Sequence, residues 1–436
     1  MKRLVYTFLI FSSFISEVWL PDLIAQTKIT ISKNLTLEEA VKLALEYHPS
    51  LRAARAAVRS SSAILKQSES AYFPSLDFSA SGSHTAGAFV FNPAFPPRIQ
   101  KYQNYSAGVQ AQQVIFDFGK TIANVSANRS GVKASKYDYQ TARNAVITNV
   151  QLAYFGLIQA QRVIKVDQET VNQAEKHLFQ AKAFYDVGKS PRFDITNAEV
   201  DLANANVQLI SARNQLRIAR IQLDNAMGVH PVMNYVVVDS FTIEPFTMTL
   251  DSTRELALNL RPEFRSLYAH LKQNQAVVTA MWSQHLPTLL ASGSYTWSGF
   301  AFPLQNRWTV GLTLSLPLFQ GFGIRAQVQE AQANVETLQA NIDELSETIS
   351  LEVEQYYLNL KDAEERIAAT ETLITQAREN LKLAEQRYST GVGSAIEITD
   401  AMVSLSNAQI TNIQALFDYN NSLVQLRQAI GVMGNM

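Results

Sequence analysis

The chain has 436 residues, a formal net charge of −1 and no cysteine. Acidic and basic residues are interspersed, so nothing in the charge pattern indicates a nucleic-acid partner. The absence of cysteine excludes disulfides, thiolate metal sites, a cysteine nucleophile and an N-terminal lipoprotein anchor. A chain of this length ordinarily forms two or three domains.

Residues 1–25 resemble an export signal. Lys2 and Arg3 precede an apolar core over residues 4–15, and Ala25 ends a plausible cleavage site. The apolar run is shorter than the roughly 20 residues that span a bilayer, so we expect a cleaved signal peptide rather than an anchor. No later segment is apolar enough for a membrane helix, so any insertion into a membrane is expected to use β-strands.

The first part of the mature chain predicts two helices and a β-hairpin. Thr36 and Glu39 form a capping box that begins one helix, and Pro49 begins another that continues to about residue 71. Apolar and small polar residues then alternate with a period of two, which predicts strands within residues 75–116, separated by a loop over residues 89–104. The predicted apolar face of this hairpin includes Leu76, Phe78, Tyr105 and Val109.

Long helices follow the hairpin. One is predicted from Lys120 to Tyr185, and a second from Arg192 to Met227. The longest stretch, Ile324 to Thr390, runs for about 67 residues without proline or glycine and predicts a rod of about 100 Å. Its apolar positions form a heptad seam with one stutter near Val353, which is typical of a coiled coil that locally unwinds.

The chain is organised as two copies of one unit. Pro49 and Pro74 recur as Pro262 and Pro287, and the turn glycines recur in the same order. The unit is a helix, a β-hairpin, a very long helix and a medium helix. We therefore divide the chain into repeat 1 (residues 26–230), a connector (231–250) and repeat 2 (251–436), with the second hairpin at about 288–317.

The predicted strands have the length and the one-sided apolar character of membrane-crossing strands. In the second hairpin the membrane-facing residues are predicted to be Leu289, Tyr295, Trp297, Trp308, Val310 and Leu312. The alternative is two soluble hairpins packed on a core. Four strands cannot close a barrel and lipid does not tolerate an open edge, so the membrane interpretation requires several copies of the chain. Two copies give eight strands filled by side chains, and three give twelve strands with room for a lumen.

Short motifs in both repeats resemble those of the TolC-like outer-membrane efflux protein family, over residues 35 to about 432. They are individually weak and become specific through their order and repetition. The motifs are Leu37-Glu38-Glu39-Ala40, Ala44 and Pro49, Tyr72-Phe73-Pro74, Val114 to Gly119, Pro317-Leu318-Phe319 with Gly321, and Tyr388-Ser389-Thr390-Gly391.

The resemblance implies an α+β membrane protein. Its fold would be a trimeric 12-stranded β-barrel, four strands per chain, continued by a long α-helical coiled-coil tunnel through the periplasm. It further implies an exit duct of a tripartite efflux or type I secretion system in the outer membrane of a Gram-negative-type bacterium. The implied partners are two further copies of the chain, outer-membrane lipid, a periplasmic adaptor (membrane fusion) protein and an inner-membrane pump of the RND or ABC type.

The resemblance also implies a closable periplasmic tip. Gly188 and Gly391 match the tip turns, and Glu397 and Asp400 match two acids that line the family's constriction. Asp194, Asn197 and Tyr388 match positions of the latch that holds the tip. The family's latch arginine would fall at Gly393, so Arg192 and Lys189 are considered as substitutes.

The acids have a second interpretation from the residues alone. Glu397 and Asp400 are three positions apart at the start of a helix, where carboxylates favour the helix dipole without any role in a throat. Around a threefold axis, the same carboxylates would attract cations and raise one another's pKa.

Catalytic motifs are absent from the sequence. The six histidines have no metal-ligand spacing and are expected to be surface or packing residues. We expect no enzyme, no cofactor and no metal site. Two rival functions stay open: a periplasmic coiled-coil adaptor or scaffold without a barrel, and a surface hydrolase or binding protein on a helical stalk. The cargo of a duct is also open among drugs, metal ions and polypeptides.

Overall fold

The computed structural model describes residues 34–89, 98–229, 235–239, 241, 243 and 245–433. The expected signal peptide, residues 1–25, and part of the predicted connector lie outside these ranges. Among the described residues, no helix has both the length and the hydropathy that a membrane crossing requires.

The described chain forms eight helices and six strands in an order that repeats. In chain order they are β1 (Asn34–Leu35), α1 (Leu37–Tyr47), α2 (Pro49–Glu69), β2 (Ser75–Phe89), β3 (Arg98–Phe116), α3 (Lys120–Asp186), α4 (Arg192–Met227), β4 (Val236–Val237), α5 (Leu250–Leu260), α6 (Pro262–Trp282), β5 (Thr288–Gly299), β6 (Gln305–Ser315), α7 (Gly323–Ser389) and α8 (Ala395–Ile430). Helices α3 and α7 each have 67 residues, and α4 and α8 each have 36. The repeat of helix, hairpin, very long helix and medium helix is therefore present in the fold.

The two hairpins join into one antiparallel sheet with the order β2-β3-β5-β6. The register sets Phe78 opposite Val109, Val109 opposite Tyr295, and Tyr295 opposite Trp308. Because side chains alternate along a strand, this row and the rows two residues away point to the same face. Strands β2 and β6 are open edges of the sheet.

The first hairpin is longer than the alternation predicted. We expected a loop over residues 89–104, but β3 begins at Arg98 and the ladder pairs Phe89 with Arg98. The prediction was wrong for residues 98–104 because side-chain alternation reports the surroundings of a strand, whereas the ladder depends on the backbone. The rest of that predicted loop, residues 90–97, lies outside the described residues.

Below the sheet, the helices form a layer in the order α4-α3-α8-α7, so α4 and α7 are its two outer members. The heptad seam predicted on α7 is its packed face: Ile349, Val353, Leu360 and Ala363 are fully buried. The extra four-residue step at the stutter reduces the supercoiling that a strict seven-residue repeat would impose.

In the middle of the molecule, the connector packs against α3. The hydroxyl of Tyr154 on α3 donates to the carbonyl oxygens of Leu35 (3.0 Å) and Val238 (2.8 Å), beside the parallel pair of β1 and β4. Arg162 forms two hydrogen bonds to Asp239, at 2.8 and 2.9 Å. These bonds hold the connector against α3. The contact lies between the sheet at one end of the molecule and the tips of the helical hairpins at the other.

Candidate functional site at the tips of the helical hairpins

Two tight turns end the long helices. Gly188 and Gly391 have φ values of 69° and 79°, the left-handed region that glycine adopts without a side-chain clash. The amide of Lys189 donates to the carbonyl of Phe184 at 2.8 Å, and that of Val392 donates to Arg387 at 3.0 Å. With the glycine amides bonded three residues back, both turns are Schellman motifs that reverse the chain into α4 and α8.

Tyr388 is buried one turn before Gly391. Its ring is 4% exposed and lies 5.3 Å from the ring of Phe184. The hydroxyl has no hydrogen bond of ordinary geometry, and the Ser190 hydroxyl and Asp194 carboxylate lie close to it. Burial raises the pKa of Tyr388 and the charge of Asp194 raises it further. These residues line a cleft of about 500 Å³ that also contacts Gly391.

Glu397 is held within its own hairpin. It completes a capping box with Ser394 at the start of α8, and its Oε2 accepts a hydrogen bond from Arg387 Nε at 3.1 Å. This bond from Arg387, together with the backbone bond from Ser394, lowers the pKa of Glu397. The helix-capping interpretation is therefore realised in the structure, and half of the charge that we assigned to a throat is already partnered.

The side chains of Asp400 and Asn197 form no comparable bonds within the described residues. Asp400 is exposed one turn after Glu397 and has no ion pair among the described residues. Asn197 is half-buried one turn after Asp194, without a hydrogen bond in the described part of the chain. The structure therefore brings Tyr388 and Asp194 together, and it leaves Asp400 as the free carboxylate at the start of α8.

Gly393 leaves no room for a side chain. A Cβ atom there would lie 2.9 Å from Arg387 Cβ and 3.0 Å from the Tyr388 nitrogen. An arginine at this position would therefore have to displace the end of α7. Neither suggested substitute, Arg192 or Lys189, forms an ion pair within the described residues, although the Lys189 ammonium lies 6.0 Å from the Phe184 ring centre.

Two residues of this site escaped the sequence analysis. Arg387 could have been found as a basic residue in the last turn of a helix that ends at glycine. His177 had no signal beyond its place on the buried face of α3, where it lies 4% exposed against Tyr388.

At the other end of the molecule, the sheet register places the ten predicted membrane-facing residues on one face. Strand β2 contributes Leu76 and Phe78 to this face, and β5 contributes Leu289, Tyr295 and Trp297. Several of these side chains are widely exposed in the single chain, including Leu76 (73%) and Val310 (77%). The opposite face carries serine, threonine and glutamine.

Comparison with known proteins places these features in a family. The model of a family described as outer membrane efflux protein matches residues 40–229 and 253–432. The outer membrane protein TolC of Escherichia coli is 25% identical over 349 residues, which cover 75% of this chain and 69% of TolC. The solvent efflux pump outer membrane protein SrpC of Pseudomonas putida is 23% identical over 92% of this chain and 86% of SrpC.

Solved structures show the same fold. The crystal structure of the Campylobacter jejuni CmeC outer membrane channel superposes with a TM-score of 0.83, at 22% identity, over 91% of this chain and 85% of CmeC. The expected fold class is therefore confirmed.

Proposed function

Because the chain belongs to the outer membrane efflux protein family, we propose that it is a passive exit duct in the outer membrane, opened at its helical tips by a periplasmic adaptor and an inner-membrane pump. The pump supplies the energy and sets the direction of transport. The observation that carries the proposal is the one-sided apolar sheet placed on a layer of helices with open sides.

The sheet supports a membrane location. Its apolar face exposes Trp308 (72%), Val310 (77%) and Leu312 (71%), which a soluble protein would cover. Its other face carries small polar residues that suit a water-filled lumen. Lipid cannot form hydrogen bonds with the unpaired backbone groups at the β2 and β6 edges. The sheet must therefore continue into another copy of the chain.

The helical layer independently requires further copies. Helix α4 buries one face against α3, including Ala205 and Leu209, yet it exposes apolar residues on the opposite face. These exposed residues are Phe193, Val200, Val207, Ile210, Ile218 and Ile221. At the other side of the layer, α7 exposes Leu351, Leu358, Leu373 and Leu383. Steps of seven residues, such as Val200 to Val207 and Leu351 to Leu358, are typical of helix-packing seams.

We infer that the α4 side of one chain packs against the α7 side of the next, which closes the layer into a ring. Three copies supply twelve strands, the number that leaves a lumen, whereas two copies give a filled barrel. The ring would place the Gly188 and Gly391 turns, with Asp400, around its threefold axis. An adaptor and pump would then engage these turns and spread them.

The test is single-channel recording in a planar bilayer. Wild-type protein is compared with Glu397→Ala/Asp400→Ala, and with Glu344→Ala/Glu347→Ala as the matched control, since those exposed acids on α7 have the same spacing away from the tip. We expect a small cation-selective conductance that grows and loses selectivity in the first variant and is unchanged in the control.

Two other outcomes would contradict parts of the proposal. If the protein inserts and the tip variant behaves as wild type, the duct remains and the constriction assignment fails. If nothing inserts and the protein is extracted without detergent, the periplasmic scaffold replaces the duct.

A further inference from the structure

His177 occupies an unusual position for a titratable group. It lies on α3 eleven residues before Gly188 and is 4% exposed. It shares the buried face of this helix with Ala174 and Ala181. Its ring centre lies 5.7 Å from that of Tyr388, with the planes inclined at 63°. Neither ring nitrogen has a hydrogen-bond partner among the described residues.

Groups on α4 and α7 surround His177 in the tip. Helix α4 contributes two carboxylates whose charges act on the imidazole, Asp201 and Asp194, and α7 contributes Tyr388. The Asp201 carboxylate in turn accepts a hydrogen bond from the hydroxyl of Thr399 on α8 at 2.6 Å. The charge of the Asp194 carboxylate also raises the pKa of Tyr388, so one carboxylate affects both the tyrosine and the histidine.

This environment favours the neutral imidazole. Burial lowers the pKa of His177 more than the charges of Asp201 and Asp194 raise it. An imidazolium in the packed tip would be a buried cation with two N–H donors and no acceptor bonded to either, which is unfavourable compared with a hydrated one.

We propose that His177 makes the tip a pH-sensitive gate, in which protonation of the imidazole loosens the packing of α3 against Tyr388 and promotes opening. This proposal rests on the proposed function, because a gate presupposes the duct. The direction follows from linkage: a packed tip that binds the proton more weakly than a loosened tip is fully favoured above the ordinary histidine pKa of about 6.5. Its advantage declines as the pH falls below that value.

The first measurement is open probability in planar bilayers between about pH 7.5 and pH 5.5, a range that brackets an ordinary imidazole. We compare wild type, His177→Gln, and His270→Gln as a matched control, because His270 lies on α6 and bonds Gln273 at 3.1 Å. Open probability should rise several-fold with acid in wild type and His270→Gln and stay flat in His177→Gln. A wild-type pH profile in His177→Gln would overturn the proposal.

Ion selectivity separates this effect from a change of charge at the throat acids. Loss of the Asp400 charge would reduce cation preference, whereas loosening through His177 changes how often the tip opens. The same recordings in an Asp400→Asn background should keep the acid-induced opening. If that background abolishes it, the carboxylate and not the histidine senses pH.

A second measurement does not depend on conduction. Phe184→Trp places a fluorescent reporter next to Tyr388, and the described tryptophans, Trp282, Trp297 and Trp308, are on α6 and the sheet. Acrylamide quenching of the reporter in detergent-solubilised protein should increase with acid, and the increase should be absent when His177→Gln is added.

The two measurements distinguish failure of the gate from failure of the duct. Acid-dependent quenching that requires His177, in a protein that never conducts, would support the pH-sensitive packing and contradict the duct. Conduction with a pH response in neither measurement would leave the duct in place and overturn the gate.

Discussion

The acids at the start of α8 differ in a way that their spacing does not reveal. Glu397 is bonded to Arg387 and to the backbone of Ser394, whereas Asp400 is exposed and free of ion pairs within the described residues. A carboxylate that is already paired contributes less to the potential in a narrow pore than a free one. At the residue scale, Asp400 is therefore the stronger candidate for ion selectivity.

We expect Asp400→Asn to reduce the K⁺ over Cl⁻ permeability ratio more than Glu397→Gln does. Arg387→Gln should raise the ratio, because it frees the Glu397 charge, and Arg378→Gln serves as a control on the same helix. Reversal potentials in a salt gradient measure the effect. Equal losses from the two acid variants would show that Arg387 does not neutralise Glu397 in the assembled protein.

The Arg387–Glu397 pair also predicts a pH dependence. Because the pKa of Glu397 is lowered, the pair contributes fully above the ordinary glutamate pKa of about 4.3 and is lost as the pH falls through the lowered value. In the Asp400→Asn background, the K⁺ preference that remains should therefore persist until the pH falls below about 4.3. Its loss at a higher pH, measured from reversal potentials, would contradict the lowered pKa of Glu397.

Gly393 allows the chain to pass close to the end of α7. Gly393→Ala forces a Cβ into backbone atoms, and overpacking of this kind costs about 1–3 kcal/mol. Amide exchange in the turn should accelerate by about fivefold to a hundredfold, since about 1.4 kcal/mol is a factor of ten. Gly323→Ala is the control, because nothing lies within 4 Å of its added Cβ. Unchanged exchange in Gly393→Ala would show that the turn can relax at no cost.

At the scale of the elements, α4 is a helix with two apolar faces. Ala205 and Leu209 face its neighbour α3, while Val200 and Val207 face away from it. A helix that is apolar on opposite sides is normally buried on both. We therefore expect a second chain to cover this other face in the assembled protein.

Val207→Asp should weaken the assembly, because a carboxylate would be buried without a partner in the inferred seam. Gln208→Asp, one residue along the same helix, adds the same charge away from the apolar stripe and should leave the assembly intact. Sedimentation in detergent measures the oligomeric state. Assembly of Val207→Asp at wild-type levels would remove α4 from the interface.

The sheet allows a matched pair of substitutions on its two faces. Val310 is the middle residue of β6 on the apolar face, and Thr309 precedes it on the polar face. Val310→Arg should destabilise folding into lipid vesicles by about 2–4 kcal/mol, the cost of arginine facing lipid at the bilayer midplane. Thr309→Arg should cost much less. Similar costs for both would show that the apolar face does not meet lipid.

At the scale of the whole molecule, the single chain is an open structure. Both the sheet and the helical layer end in unsatisfied edges, β2 and β6 in one case and α4 and α7 in the other. We therefore expect copies of the chain to close both the sheet and the helical layer, and one rotational symmetry can satisfy both.

We expect native mass spectrometry to detect three chains per assembly. Refolding a mixture of tagged and untagged chains should give every tagged-to-untagged ratio that three copies allow. An assembly of two chains would instead indicate a filled eight-stranded barrel and contradict the duct.

The sequence alone determined the elements and their repetition. The limits of α4, Arg192–Met227, match the prediction, and the seam on α7 is buried where the heptads placed it. Such features are local, because periodicity of 3.6 or 2 and a glycine in the left-handed region depend on residues near in sequence. The domain division at residues 230 and 250 stays a prediction.

The tertiary structure decided which side chains meet. The pairing of Arg387 with Glu397, the burial of His177 against Tyr388 and the extension of β3 to Arg98 all join positions that no periodic pattern relates. These contacts depend on how two helices reverse at Gly391 and on how far a backbone ladder continues. A sequence pattern reports which face of an element is apolar, whereas only packing fixes the partner that covers it.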